Sequence, residues 1–140
     1  MDSVKKQPDS RTATAVLRKL TRGLLYMSES DEPFEVVHLE ATTGTYGAAE
    51  ACLVTNRPPG CRVQKQSLEE FFGDLAQEHD WHGPSEKEDV RRYRELWHYF
   101  RDCLNELTVF QLGEIQVDVV IVGRAADGRW VGVRTRAIET

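Results

Sequence analysis

The feature that most constrains the fold is a strand–turn–strand pattern near the carboxyl-terminal end of the chain. Residues 115–123 alternate polar and apolar side chains at first and then become apolar on both faces, and residues 130–138 form a second β-like segment. Between them, Asp127 and Gly128 form a dipeptide that strongly favours a tight hairpin turn. The pattern therefore predicts two paired antiparallel strands, against which the rest of the chain must pack.

Three segments carry the apolar spacing of amphipathic helices. A first helix is expected over residues 10–22. Ser67 and Glu70 form a capping box, which opens a short helix through Leu75. The longest helix is expected to begin near Ser85, and its apolar stripe comprises Val90, Tyr93, Leu96, Trp97, Phe100, Cys103, Leu104 and Leu107.

The remaining segments are shorter and less regular. Strands are expected over residues 34–41 and 109–112, whereas residues 24–33 are interpreted as a turn followed by a polar loop. Residues 48–55 fit either a strand or a short helix, and residues 57–60 (Arg-Pro-Pro-Gly) form a loop. Helices gathered around a largely antiparallel sheet predict an α+β sandwich.

Composition narrows the classes of function. The chain has 140 residues, of which 40% are hydrophobic, and its formal net charge is −5. No apolar run approaches the ~20 residues of a membrane-spanning helix, and the acidic balance argues against direct binding to nucleic acid. Residues 1–9 are expected to be a flexible tail, with a single domain over residues 10–140. Because residues 1–10 lack the apolar stretch of a secretory signal, a cytoplasmic location is expected.

Cysteine and histidine positions give little support for an enzyme. Cys52, Cys61 and Cys103 are odd in number and lack C-x-x-C spacing, so free thiols are favoured, while a Cys52–Cys61 bridge stays open as an alternative. His79 and His82 have a spacing that can bind a metal on a helix, but a Gly-Pro pair follows directly and favours a solvated turn. Phosphate-loop, nucleophile-elbow and zinc-protease motifs are absent from the sequence. These observations predict a protein that is not an enzyme and that uses no cofactor.

An acidic loop is the clearest candidate for a binding feature. Ser28 is followed by Glu29, Asp31 and Glu32, which place three carboxylates within four residues. Such a loop is common on solvated surfaces. It can also dock in a basic cleft, where opposite electrostatic potentials speed association and fix the register of the two partners.

The sequence around this loop resembles the nuclease A inhibitor family. The segments that carry the resemblance are GLLYMSES (residues 23–30), PFEV (33–36), Asp80-Trp81, LGE (112–114), VDV (117–119), Val122-Gly123, Gly128 and Glu139-Thr140. They occur in the same order and at near-equal spacing, over roughly half of the chain, which makes the set far more specific than any one piece.

The resemblance implies both a fold and a function. Members of the family are small intracellular proteins that block a sugar-non-specific, magnesium-dependent endonuclease. Their architecture is a three-layer α-β-α sandwich, similar to that of plant pathogenesis-related group-one proteins. The implied protein is a monomer that binds a non-specific DNA/RNA nuclease stoichiometrically, in the active site of that nuclease and without contacting nucleic acid itself.

The resemblance also implies roles for particular residues. It assigns Glu29 to an arginine of the nuclease, which can bind a carboxylate in a bidentate manner. Thr140 is assigned to the catalytic magnesium of the nuclease, through its hydroxyl and carboxylate and largely through metal-bound water, because a hard cation prefers oxygen ligands. Trp81 is assigned as an anchoring contact. The implied partner-binding set is Ser28, Glu29, Asp31, Trp81, Glu139 and Thr140.

The sequence departs from the family pattern at three places. Glu32 stands where the family loop has an aromatic residue, residues 82–84 interrupt an acidic stretch, and residues 42–65 show no match. One alternative is therefore a non-enzymatic binding module of the same fold with a different basic protein as its partner. A less favoured alternative is a hydrolase that uses His79 and His82 with a metal.

Overall fold

The computed structural model describes residues 7–27, 31–39, 46–58 and 60–138. Within these residues the chain forms four helices and seven strands, an α+β fold. In chain order the elements are α1 (Ser10–Thr21), β1 (Leu25–Met27), β2 (Asp31–Pro33), β3 (Glu35–Leu39), α2 (Ala48–Thr55), β4 (Val63–Gln66), α3 (Leu68–Leu75), α4 (Pro84–Cys103), β5 (Asn105–Leu112), β6 (Gln116–Arg124) and β7 (Trp130–Ile138).

Five of the strands form one antiparallel sheet in the spatial order β3-β7-β6-β5-β4. The predicted hairpin of β6 and β7 is confirmed and lies inside the sheet, with Gly128 at a positive φ of 84° in its turn. β7 lies between β6 and β3, so a strand late in the sequence pairs with one close to the beginning. Within the described residues, β1 and β2 pair with each other and not with the five-stranded sheet, as an antiparallel hairpin in which Met27 lies opposite Asp31.

The sheet has an apolar cluster on each face. Side chains alternate between the two faces along a strand, and β6 shows this directly: Val119 and Ile121 belong to one cluster, whereas Val120 and Val122 belong to the other. The first cluster includes side chains of α1, α3 and α4, and the second includes Ala51 of α2. Both faces of the central strands are therefore covered, which explains why the sequence of β6 is apolar at successive positions.

The ends of the helices follow local sequence signals. The N–H of Thr12 donates to Asp9 at 2.8 Å and caps α1, while Gly23, with φ of 72°, follows the end of that helix. The capping box that opens α3 is confirmed, since Glu70 N donates to Ser67 Oγ at 3.0 Å and Ser67 N donates to Glu70 Oε1 at 2.9 Å. These local hydrogen bonds satisfy backbone N–H groups that have no partner within the helix.

The prediction that α4 extends through Leu107 was wrong. The helix ends at Cys103, and Leu104 has an extended backbone (φ −123°, ψ 159°). Asn105 already pairs with Arg124 of β6, so Leu107 reaches the first cluster from a strand. Backbone pairing with β6 overrides a helical apolar spacing that continues into this segment.

Two further segments differ from their sequence interpretation. Residues 25–27 and 31–33 form the β1–β2 hairpin, where a turn and a polar loop were expected. Residues 63–66 form β4, a strand that no clear sequence pattern predicts, and residues 48–55 form the helix α2. None of the helices in the described parts of the chain combines the length and the apolar character needed to cross a membrane.

Candidate functional site

The described part of the acidic candidate loop, Asp31 and Glu32, lies in β2 of the β1–β2 hairpin. Asp31 is exposed. Ser28 and Glu29 lie outside the described residues, as do Glu139 and Thr140. The structure therefore describes the strands that lead into these four candidates.

The hairpin is docked against the strand that leads to the carboxyl-terminal candidates. The buried Thr135 of β7 donates its hydroxyl to the carbonyl oxygen of Pro33 at 3.0 Å and lies 3.4 Å from that of Glu32. Ile138, the last residue described, follows three positions later on the same strand. The acidic hairpin and the carboxyl-terminal end of β7 thus lie along one side of the molecule.

A cluster of charged side chains braces the neighbouring end of the sheet. Asp118 of β6, whose side chain is only 10% exposed, accepts from Arg57 Nε at 2.6 Å and lies 3.4 Å from Arg136 Nε. Arg57 Nη2 also donates to the carbonyl oxygen of Gln116 at 2.5 Å, and Gln116 pairs with Ile138. The cluster therefore joins the loop after α2 to the ends of β6 and β7.

Sequence reasoning missed this charged cluster. The only signal was Asp118 itself, a carboxylate near the start of a strongly apolar strand, because a buried charge in such a place requires a partner. Its main partner, Arg57, lies 61 positions away in a Pro-Gly loop that offers no local pattern.

Trp81 is the most exposed aromatic side chain of the described chain, with 72% of its surface accessible. It lies in the turn between α3 and α4 and stacks on His79, with ring centroids 6.0 Å apart and planes inclined by 7°. Its ring also contacts His82 edge-on, at a centroid distance of 4.2 Å. Core packing is therefore excluded as the role of this indole, which remains available to a partner.

The two histidines stabilise this turn. The backbone N–H of His79 donates to His82 Nδ1 at 3.0 Å, and His79 Nε2 lies 3.3 Å from a carboxylate oxygen of Asp74. The described residues contain no group of three or more histidine, cysteine or acidic side chains arranged to hold a metal. The expected turn is confirmed before Gly83, where His82 N also donates to the carbonyl oxygen of His79 at 3.0 Å, but Pro84 already belongs to α4. His82 Nδ1 therefore already accepts a hydrogen bond within the turn.

A cavity of about 170 Å³ opens beside Trp81. Aromatic rings and carboxylates dominate its lining, which includes His79, Trp81, Tyr93, Asp74, Glu86 and Asp89 and contains no lysine or arginine. Burial raises the pKa of Asp89, although the nearby Arg92 opposes this shift. The cavity has the chemistry of a site for a cationic group, since it offers negative charge next to aromatic faces.

Tyr93 links this cavity to the acidic hairpin. Its ring lines the cavity, and its hydroxyl donates to the carbonyl oxygen of Leu25 in β1. Leu25 lies opposite Pro33 in the hairpin, and Pro33 accepts from Thr135 of β7. A continuous series of contacts therefore connects the Trp81 cavity, the acidic hairpin and the strand that leads to the carboxyl-terminal candidates.

The described chain is thus an α+β domain in which an exposed aromatic side chain, Trp81, lies beside acidic side chains. The sequence model of the family described as "nuclease A inhibitor-like protein" matches residues 11–140, and the chain belongs to this family. The family suggested by the sequence motifs is thereby confirmed. A search of curated proteins finds no match.

Proposed function

We propose that this chain is a non-enzymatic protein that inhibits a sugar-non-specific, magnesium-dependent nuclease. It would bind stoichiometrically in the active site of that nuclease. Membership of the nuclease A inhibitor-like family supports the class of partner. The observation that carries the proposal is the series of contacts from the Trp81 cavity through Tyr93 and the hairpin to Thr135, because it joins Trp81 to the strands that lead towards Glu29 and Thr140.

The chemistry of a nuclease active site explains the choice of anions. Such a site binds phosphate, so it presents basic side chains and a hard cation that prefers oxygen ligands. In the proposal, the carboxylate of Glu29 binds an arginine of the nuclease, and the hydroxyl and carboxylate of Thr140 approach its magnesium through bound water. These oxygens replace those of a phosphodiester and contain no bond that the nuclease can cleave. Ser28, Asp31 and Glu139 flank the two main contacts.

Trp81 and the cavity beside it would bind a basic side chain at the rim of the nuclease cleft. The carboxylates of Glu86 and Asp89 supply negative charge, and the exposed indole supplies a rigid surface for packing and for a cation–π contact. A partner that binds nucleic acid is rich in arginine and lysine near its active site, which gives the cavity a suitable occupant.

The proposal also includes the layered architecture, the domain organisation and the oligomeric state of the chain. Apolar clusters on both faces of the sheet, one of them containing part of α2, are compatible with a three-layer α-β-α sandwich like that of plant pathogenesis-related group-one proteins. We also infer one domain over residues 10–140, to which the two preceding residues are attached: Ala126 N donates to the carbonyl oxygen of Pro8 at 2.9 Å, and Asp9 caps α1. The inhibitor is proposed to be a cytoplasmic monomer before it binds the nuclease.

The proposal is tested by titrating the chain against a magnesium-dependent, non-specific nuclease while DNA and RNA cleavage are followed. Activity should fall to zero at an equimolar ratio. Glu29→Ala should weaken binding by about 2 kcal/mol or more, as expected for a charged residue at the centre of an interface. Residues appended after Thr140 should abolish inhibition, whereas the same residues added before Met1 should not. Full inhibition by the carboxyl-terminally extended chain would refute the magnesium contact.

Trp81 is tested with a matched control on the other side of the sheet. Leu53 of α2 is 74% exposed and Trp81 is 72% exposed, so replacing either side chain with alanine should have a small effect on folding. Only Trp81→Ala should weaken inhibition, by about 2 kcal/mol. If the chain instead captures a basic protein without nuclease activity from its host, the alternative of a binding module with another partner replaces the inhibitor proposal.

A further inference from the structure

Cys52 and Cys61 lie next to each other in the folded chain. Their sulfur atoms are 3.5 Å apart, although the residues are nine positions apart in sequence. Cys52 is buried on α2, whereas Cys61 is partly exposed at the other end of the loop that follows the helix. A disulfide needs a sulfur–sulfur distance of about 2.05 Å, so the two atoms would have to approach by roughly 1.5 Å.

We propose that Cys52 and Cys61 form a dithiol site that reacts with low-molecular-weight disulfides such as oxidised glutathione and closes into an intramolecular disulfide. The structure holds the reduced form of this site. The third cysteine, Cys103, lies at the end of α4 and takes no part in the reaction.

The accessibility of the two thiols sets the order of the steps. The thiolate of Cys61, which solvent can reach, attacks one sulfur of oxidised glutathione, forms a mixed disulfide and releases one glutathione thiolate. Burial raises the pKa of the Cys52 thiol, so Cys52 reacts second. Once Cys52 has lost its proton to solvent, its sulfur attacks the Cys61 sulfur and expels the second glutathione. Two protein thiols are oxidised, and one glutathione disulfide is reduced to two thiols.

Backbone hydrogen bonds hold the described residues near the two cysteines together. The backbone N–H of Arg57 donates to the carbonyl oxygen of Cys52 at 2.9 Å, and the N–H of Cys61 donates to that of Pro58 at 3.3 Å. The two ends of the loop therefore lie together before any bond forms, and little chain entropy remains to be lost in the folded state.

The Cys52–Cys61 disulfide would restrain the loop whose Arg57 side chain binds the end of the sheet. Arg57 lies inside the ring that the disulfide closes, and its side chain binds Asp118 and the carbonyl oxygen of Gln116. Oxidation would thus restrain the arginine whose partners lie beside the last described residue of β7. A cross-link of this loop length should raise Tm on the order of 5 °C, because it restricts the unfolded chain.

The test begins with the reduced full-length chain, incubated with excess oxidised glutathione at neutral pH. Intact mass under denaturing conditions should show the loss of two hydrogens, and peptide mapping should recover a Cys52–Cys61 link. Cys103→Ser should behave in the same way. The Tm of the oxidised chain should be higher, and dithiothreitol should return both mass and Tm to their starting values.

Cys61→Ser supplies the control, because Cys61 is partly exposed at the margin of the second cluster and serine is close to cysteine in size. This variant should gain neither the bridge nor the rise in Tm. A stable glutathione adduct on Cys61 in the otherwise unmodified chain would overturn the proposal, since it would show that Cys52 does not attack. A bridged form with a Tm equal to or below that of the reduced form would also overturn it. None of these measurements depends on the proposed nuclease inhibition.

Discussion

Replacing Asp118 with asparagine should destabilise the fold by about 2 kcal/mol. The carboxylate is 10% exposed and binds Arg57, whose own side chain is 23% exposed. Asparagine keeps the size of the side chain but removes the negative charge, so the guanidinium of Arg57 stays half-buried without its counter-ion. Removing one partner of a fully buried pair costs about 3–5 kcal/mol, and a hydrogen bond to a charged group contributes about 1.5–3 kcal/mol. We expect a cost of about 2 kcal/mol, below the range for a fully buried pair, because water still reaches Arg57 and because Arg136 is more than half exposed.

Urea denaturation is the appropriate measurement for this prediction. Asp118→Asn should lower the midpoint and leave the slope m unchanged, since the surface exposed on unfolding stays the same. Glu114→Gln is the matched control, because it removes an exposed carboxylate that pairs with the exposed Arg62, and it should cost less than about 0.5 kcal/mol.

A double-mutant cycle separates the ion pair from other effects of the substitution. Arg57→Met removes the cation and keeps much of its apolar stem. The two single changes should together cost at least about 1 kcal/mol more than the double mutant, because they share one interaction. A cost of Asp118→Asn under about 0.5 kcal/mol, or additive costs of the two changes, would contradict a stabilising ion pair.

Three further predictions concern the sheet, the hairpin and the cavity. Gly132→Ala should lower the free energy of unfolding, measured with urea, by more than about 3 kcal/mol, because its Cβ would collide with the carbonyl oxygen of Ile121. Gly73→Ala, with open space around it on α3, should raise that free energy by about 0.5–1 kcal/mol. Equal effects of the two substitutions would contradict the contact at Gly132. Thr135→Val should cost about 1 kcal/mol, through loss of the hydroxyl bond to the hairpin, and should also weaken nuclease inhibition. Burial raises the pKa of Asp89, so ionisation is penalised in the folded state and stability increases as pH falls through the titration range of this group. Asp89→Asn should therefore raise Tm at pH 7 but not in acid below the ordinary pKa of aspartate, and it should weaken binding of the nuclease. If the difference in Tm between the variant and the parent chain stays the same across this pH range, burial does not penalise the charge of Asp89.

The parts of the fold that the sequence predicts well are those determined by local chemistry. The turn at Asp127-Gly128 and the capping box at Ser67 depend on residues within four positions of one another, and both appear as expected. The parts that it predicts poorly depend on distant partners. β4 is a short edge strand that exists through pairing with β5, and α4 ends at Cys103 because the following residues pair with β6.

The candidate site likewise has features that the sequence predicts and features that it does not. The acidic loop and Trp81 are visible in the sequence as a charge cluster and as part of a family motif. The cavity beside Trp81 is not visible, because its lining comes from three successive segments: the end of α3, the turn that carries Trp81, and α4. The link from Tyr93 to Leu25 spans 68 positions, and no local pattern reports a hydrogen bond of that kind.

The position of β7 between β3 and β6 has a consequence for how the protein is made. The ribosome synthesises the chain from its amino-terminal end, so β4, β5 and β6 can pair with one another before β7 exists. β3 stays without its strand partner until residues 130–138 have been synthesised. Contacts that close such a long stretch of sequence form slowly. Until they form, the nascent chain exposes one edge of β6 as well as β3, and unpaired strand edges are the surfaces through which unfinished proteins aggregate. Synthesis of the final strand is therefore the step that protects both edges at once.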